Sequence, residues 1–187
     1  MGERGGERGG ERGGEEGVSV CVVLGSGGHT SEMLNMMGAV DRNKYRRRTY
    51  VVANTDAQSG IKARVADPEG EVVVVPRARE VGQSWVTSVA TTAYAFFHAL
   101  WVVWVKIQPD ALVVNGPGTC VPFALAALAA RVLCLPNQPR IVFVESMCRV
   151  KSLSLSGRIL YPIADRFVVQ WQHLQTQYPE AEYLGLM

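Results

Sequence analysis

Short apolar runs alternate with amphipathic stretches along most of this chain. Val18-Ser19-Val20-Cys21-Val22-Val23-Leu24 is the first run, and its length and valine content predict a strand over 18–24. A helix near 30–40 follows, then strands over 48–54 and 71–75, the latter stopped by Pro76. A long apolar helix is predicted over 86–106, a strand over 110–115 and an alanine- and leucine-rich helix over 119–133. A strand over 140–145, a helix over about 152–162 and a strand over 166–170 continue the alternation. A short helix near 171–177 and a short strand near 182–184 end it. Continuous, valine-rich strands are those covered on both faces. Strands separated by helices imply right-handed crossovers and an α/β, doubly wound parallel sheet.

Ligands of such sheets gather beyond the carboxyl ends of the strands. Four polar clusters fall at those ends, at residues 25–30, 79–84, 115–119 and 145–149. The first reads Gly25-Ser26-Gly27-Gly28-His29-Thr30. Glycines let backbone N–H groups approach an anion, and the helix start adds partial positive charge. The same turn also serves helix–strand packing. A dinucleotide fingerprint would need glycine where Thr30 stands, and Asp56 as a ribose-binding acid is a weak match on spacing alone. His29 within the cradle is either a capping residue or a proton acceptor, since imidazole titrates near neutrality.

The other clusters carry the same duality. Ser84 in Arg79-Glu80-Val81-Gly82-Gln83-Ser84 is placed to cap the long helix or to meet a ligand. Asn115-Gly116-Pro117-Gly118-Thr119 is a second glycine turn, with Thr119 expected as a helix cap. Glu145 in Glu145-Ser146-Met147-Cys148-Arg149 is placed to orient a hydroxyl, to act as a base, or to pair with Arg149. Lys151 and the serines after it suit a helix start, either as caps or as another anion contact.

Composition narrows the class. Residues 2–17 repeat Gly-Glu-Arg-Gly three times and close on Gly-Glu-Glu-Gly. This segment has no apolar side chain and is expected to be disordered. It carries three arginines against five glutamates, so the +2 total leaves the body at +4. That suits an anionic ligand and is too weak to indicate nucleic acid. Residues 18–187 fit one domain. Cys21, Cys120, Cys134 and Cys148 show no paired spacing, which predicts reduced thiols and neither a zinc site nor a disulfide framework. No metal site and no cofactor motif is found. Residues 85–105 carry no formal charge and are long enough to span a bilayer. The polar groups of Thr87, Ser88, Thr91, Thr92 and His98 favour a buried or membrane-grazing helix instead.

Read together, several blocks resemble one family. They are Leu24-Gly25-Ser26-Gly27-Gly28-His29-Thr30 with Glu32-Met33, the 79–84 cluster, and Asn115-Gly116-Pro117-Gly118-Thr119-Cys120-Val121-Pro122. Val144-Glu145-Ser146-Met147-Cys148-Arg149-Val150 with Leu153-Ser154-Leu155-Ser156-Gly157, Val169-Gln170-Trp171 and Tyr183-Leu184-Gly185 complete the set. The chain is similar to the membrane-anchor subunits of the UDP-N-acetylglucosamine transferase of asparagine-linked glycosylation, the fourteenth members of that series.

The resemblance implies a Rossmann-like domain equivalent to the N-terminal half of a GT-B glycosyltransferase. The bacterial peptidoglycan N-acetylglucosaminyltransferase joins two such halves in one chain. It further implies binding of dolichyl-diphosphate-GlcNAc and recruitment of a catalytic partner that holds UDP-GlcNAc, a substrate and not a cofactor. The place of action would be the cytosolic face of the endoplasmic reticulum membrane. Gly25, Ser26, Gly27, Gly28 and Thr30, with Asn115, Gly116, Gly118 and Thr119, would receive the acceptor diphosphate. His29 would be the catalytic base candidate and Glu145 a second one. Arg79, Glu80, Gln83, Ser84, Ser146 and Arg149 are further site candidates. Tyr183, Leu184, Gly185, Leu186 and Met187 resemble the tail that docks on the partner. Family members normally begin with a membrane-spanning helix, where this chain has its charged repeat. The alternatives are a pure scaffold for the catalytic subunit and, less in keeping with Thr30, an oxidoreductase-type dinucleotide domain.

Overall fold

A computed structural model describes residues 17–77, 85–116 and 118–185. The chain runs β1 (Ser19–Val23), α1 (Gly28–Gly38), β2 (Arg47–Ala53), α2 (Ala57–Ala66) and β3 (Glu71–Val75). Then come α3 (Trp85–Trp101), which passes into a π-helical segment Val102–Ile107, and β4 (Ala111–Asn115). α4 (Cys120–Val132), β5 (Arg140–Val144), α5 (Leu155–Leu160), β6 (Arg166–Val169), α6 (Gln172–Gln177) and β7 (Glu182–Tyr183) complete it. The expectations for residues 2–16, for Arg79, Glu80, Gln83 and Ser84, and for Leu186 and Met187 lie outside the described residues.

The seven strands form one sheet in the order β3-β2-β1-β4-β5-β6-β7, with every pairing parallel. This is the Rossmann-like, doubly wound architecture that the alternation implies. Period-two alternation divides β1 between two cores. Cys21 and Val23 join Val114, Phe123, Phe143 and Phe167 on the larger one, where α3 and α4 pack. Val20 and Val22 join Met33, Met37 and Tyr50 on the other, beneath α1 and α2. The strand order reverses direction between β1 and β4, so the chain leaves their carboxyl ends towards opposite faces, to α1 and to α4, and a crevice is left there.

The hydrophobic pattern does not predict α2. Only Ser59 and Ala63 of that helix are buried, and Gly60 sits inside it, so no apolar stripe marks it. Asp56 is its N-cap: the carboxylate accepts from Ser59 N at 3.2 Å and Ser59 Oγ at 2.6 Å. This capping role replaces the ribose-binding reading of Asp56. Thr119 holds the cap position of α4 but makes no side-chain cap hydrogen bond. Ser154 does cap α5, accepting from Gly157 N at 2.9 Å.

The helix expected over 86–106 is two segments. The wider π turn buries Val102 and Val103 and ends on left-handed Gln108 at φ 49°. Trp104 within it donates through Nε1 to the Ala126 carbonyl at 2.8 Å, tying it to α4. No helix among the described residues is long and apolar enough to cross a membrane.

A buried ionic cluster braces the opposite end of the sheet. Arg48 Nε donates to Asp67 at 2.5 Å, and the Tyr50 hydroxyl donates to the same carboxylate at 2.9 Å. The Arg48 guanidinium holds the Asp67 carboxyl below its usual range. None of the four cysteines is in a disulfide, and burial pushes the Cys21 and Cys120 thiols up to about 12.

Candidate active site

The β1–α1 loop is built from its buried end outward. Gly25 is buried, and its carbonyl accepts from Thr30 Oγ1 and, at 3.1 Å, from Ser59 Oγ. Thr30 is 0% exposed and hydrogen-bonded to Ser59 Oγ at 2.6 Å. Its side chain therefore shapes the loop from below and does not face a ligand. Ser26, Gly27 and Gly28 are exposed. Gly27, at φ 63° and ψ −121°, is the N-cap residue of α1. No heavy atom lies within 4 Å of where a side chain on Gly27, Gly28 or Gly118 would begin. The loop thus offers open backbone at the start of an eleven-residue helix, where N–H groups lack intrahelical partners.

His29 stands in the crevice between β1 and β4. Its Nδ1 lies 2.8 Å from Asn115 Oδ1 at the end of β4. Asn115 Nδ2 donates to Glu32 Oε2 at 3.2 Å, and Ser146 Oγ donates to Glu32 Oε1 at 2.9 Å. His29 Nδ1 is itself 3.9 Å from Glu32 Oε2. Asn115 is 0% and Ser146 2% exposed, whereas the His29 side chain is 36% exposed. The polar row thus runs from the sheet edge towards solvent and ends on imidazole.

Gly116 sits beneath the ring. It adopts φ 59°, and a Cβ there would stand 3.0 Å from His29 Cε1. Both the left-handed backbone and the close approach of the ring call for glycine at this position. Sequence reasoning missed Glu32 as a site residue. The available signal was its spacing, three positions after His29 and so on the same helix face.

The structure gives Glu145 a different task from the one expected. It is 0% exposed. Its Oε1 accepts from Ser146 N at 3.1 Å, and its Oε2 accepts from Ser154 N at 2.8 Å and Ser154 Oγ at 3.0 Å. The carboxyl group pins the 145–154 loop to the start of α5 and presents no atom to the crevice. No ion pair joins it to exposed Arg149, whose backbone N–H closes a turn onto Ser146 O at 2.9 Å. Ser146 joins the polar row through Glu32, while Gly118 and Thr119 lie in the neighbouring β4–α4 loop. Tyr183, Leu184 and Gly185 lie at the outer edge of the sheet on and beyond β7, away from His29. Among the described residues no group of three His, Cys, Asp or Glu side chains is placed to hold a metal ion.

Known proteins resemble this chain over most of its length. It is similar to the UDP-N-acetylglucosamine transferase subunit ALG14 of Homo sapiens, 41% identical over 183 residues, covering 90% of this chain and 82% of the human protein. It is 44% identical over 173 residues to the subunit of the same name in Schizosaccharomyces pombe, covering 89% and 81% of the two chains. The fold superimposes on the crystal structure of Acinetobacter baumannii MurG with a TM-score of 0.60 at 16% identity. That match covers 83% of this chain and 41% of MurG, so the chain corresponds to one half of a GT-B architecture. The family model described as "Oligosaccharide biosynthesis protein Alg14 like" matches residues 20–187. The chain belongs to the Alg14-like family of oligosaccharide biosynthesis proteins.

Proposed function

We propose that this chain is the acceptor-side subunit of a UDP-N-acetylglucosamine transferase. The observation that carries the proposal is the placement of the His29 ring, partly exposed in the β1/β4 crevice beside the open backbone of residues 26–28. The names of the relatives support the transferase class. The acceptor is dolichyl-diphosphate-GlcNAc, with its diphosphate on the N–H groups of the β1–α1 loop. The catalytic partner holds UDP-GlcNAc across the cleft. A hydroxyl of the acceptor sugar attacks C1 of the donor, the C1–O bond to UDP breaks, and His29 accepts the hydroxyl proton. UDP leaves with the bonding electron pair, the anomeric configuration inverts, and no cofactor takes part. Reconstitution tests the division of labour. The purified chain alone transfers no sugar from UDP-GlcNAc, and adding the catalytic subunit restores turnover. Full turnover by the chain alone would refute it.

The acceptor's lipid requires a membrane surface, on the cytosolic face of the endoplasmic reticulum in this reading. Phe96, Phe97, Trp101 and Trp104 are the lipid candidates of the long apolar stretch. The structure divides them: Phe96 and Trp104 pack on the larger core, while Phe97 and Trp101 are 68% and 51% exposed. With Tyr94 and Val105, also exposed, they follow a spacing of three, four and four along one face of the helical run. This stripe rests on the bilayer. Replacing Phe97 and Trp101 together by serine lowers binding to phospholipid vesicles about thirtyfold or more, since aromatic burial is worth about a kcal/mol or more per ring and two rings are removed. Flotation assays give the measurement, and unchanged binding would remove the stripe from the membrane contact.

A further inference from the structure

We infer that Glu32 is a positioning residue that decides which nitrogen of His29 carries the proton. The inference rests on the reading of His29 as proton acceptor and deepens it. The polar row has a direction that can be followed from a group whose role is fixed. The Cys148 backbone N–H only donates, and it donates to Ser146 Oγ at 3.3 Å. Ser146 therefore turns its own hydroxyl proton to Glu32 Oε1, 2.9 Å away. An ionised Glu32 offers only acceptors, so Asn115 must present its NH2 group to Oε2, at 3.2 Å. That orientation leaves Asn115 Oδ1 facing His29 Nδ1 at 2.8 Å, and an oxygen there requires a proton on Nδ1. Neutral His29 is then the Nδ1–H tautomer. Its Nε2 keeps a free lone pair, the atom that a proton acceptor needs. A Cβ on Gly116 would stand 3.0 Å from His29 Cε1, so glycine there leaves the imidazole room to take this position.

The row also says what happens when its centre changes. In Glu32→Gln the shape is kept, but the new side chain has one oxygen and one NH2 group. Ser146 still needs an acceptor, so the amide oxygen faces Ser146 and the amide NH2 faces Asn115. Asn115 then turns its oxygen to that NH2 group and its own NH2 towards His29. Nδ1 must now accept, the proton moves to Nε2, and the lone pair is lost from the reactive position. Adding Ser146→Ala removes the demand that set this direction, so both tautomers return.

Long-range 1H–15N correlation spectra of the full chain, labelled at histidine, distinguish protonated from unprotonated ring nitrogens. They are recorded where imidazole is neutral. His98 and His173, the other two histidines, are assigned by substitution. The expected results are a single Nδ1–H form for His29 in the unaltered chain, the Nε2–H form in Glu32→Gln, and a mixture in Glu32→Gln with Ser146→Ala. An Nε2–H tautomer in the unaltered chain, or an unchanged tautomer in Glu32→Gln, would overturn the assignment. In the assembled transferase Glu32→Gln lowers kcat about 100-fold with the acceptor KM unchanged. Inversion of the tautomer with full kcat would instead overturn the role of His29 as proton acceptor while leaving the action of Glu32 on its tautomer established.

Discussion

His29→Ala lowers sugar transfer by the assembled two-subunit enzyme about 100-fold or more, the usual range for loss of a general base. The loss falls on kcat, because the diphosphate is held by loop N–H groups that the substitution leaves in place. Folding survives for a structural reason. The His29 side chain is 36% exposed, so water replaces Nδ1 at Asn115 Oδ1 once the ring is gone. The buried members of the row keep their bonds: Asn115 to Glu32 at 3.2 Å and Ser146 to Glu32 at 2.9 Å. Steady-state kinetics on the complex, with a thermal melt of each variant, give the measurement. A near-normal kcat would confine His29 to shaping the loop and favour the scaffold reading.

Deleting residues 184–187 abolishes capture of the catalytic subunit and leaves the domain folded. β7 is only two residues long and pairs with β6 alone, Val168 with Glu182 and Val169 with Tyr183. Beyond it the chain turns outward: Leu184 is 60% exposed and Gly185 adopts φ 85°. Among the described residues the last of the core, Ala181 at 2% exposure, precedes the deletion. The cut therefore removes Leu184, an apolar side chain that the domain leaves open to solvent, and none of the described core residues. Affinity capture with tagged catalytic subunit reads the interaction, and circular dichroism reads the fold. Undiminished capture would place the contact elsewhere.

The sheet was legible because its strands are short apolar runs rich in valine, those at its centre buried on both faces, and because residues 110–115 and 140–145 hold charge only at their ends. α2 was not legible, since its burial rests on Ser59 and Ala63 and no apolar period marks it. The glycine–histidine loop stood out as a motif, but the chemistry around it is long-range. His29 meets Asn115 across 86 positions, and Ser146 meets Glu32 across 114. No local pattern encodes such pairs. Glu145 shows the converse: a charge at a strand end reads as reactive until its partner, Ser154, is seen to enclose it. Asp56, a weak match for a ribose ligand on spacing alone, is a helix cap; both roles call for an acid after a strand.

The position of β1 has a consequence for motion. All five of its residues are buried, and neighbours are bonded along both of its sides. Amide protons there exchange with solvent only when the whole domain opens. Asn115 closes β4 itself, and His29 follows β1 by one short loop, so both stand next to this best-braced part of the sheet. β7, bonded on one side only, belongs to the part that frays first. A disturbance at that rim therefore reaches β7 first and the β1–β4 pair only through β6 and β5.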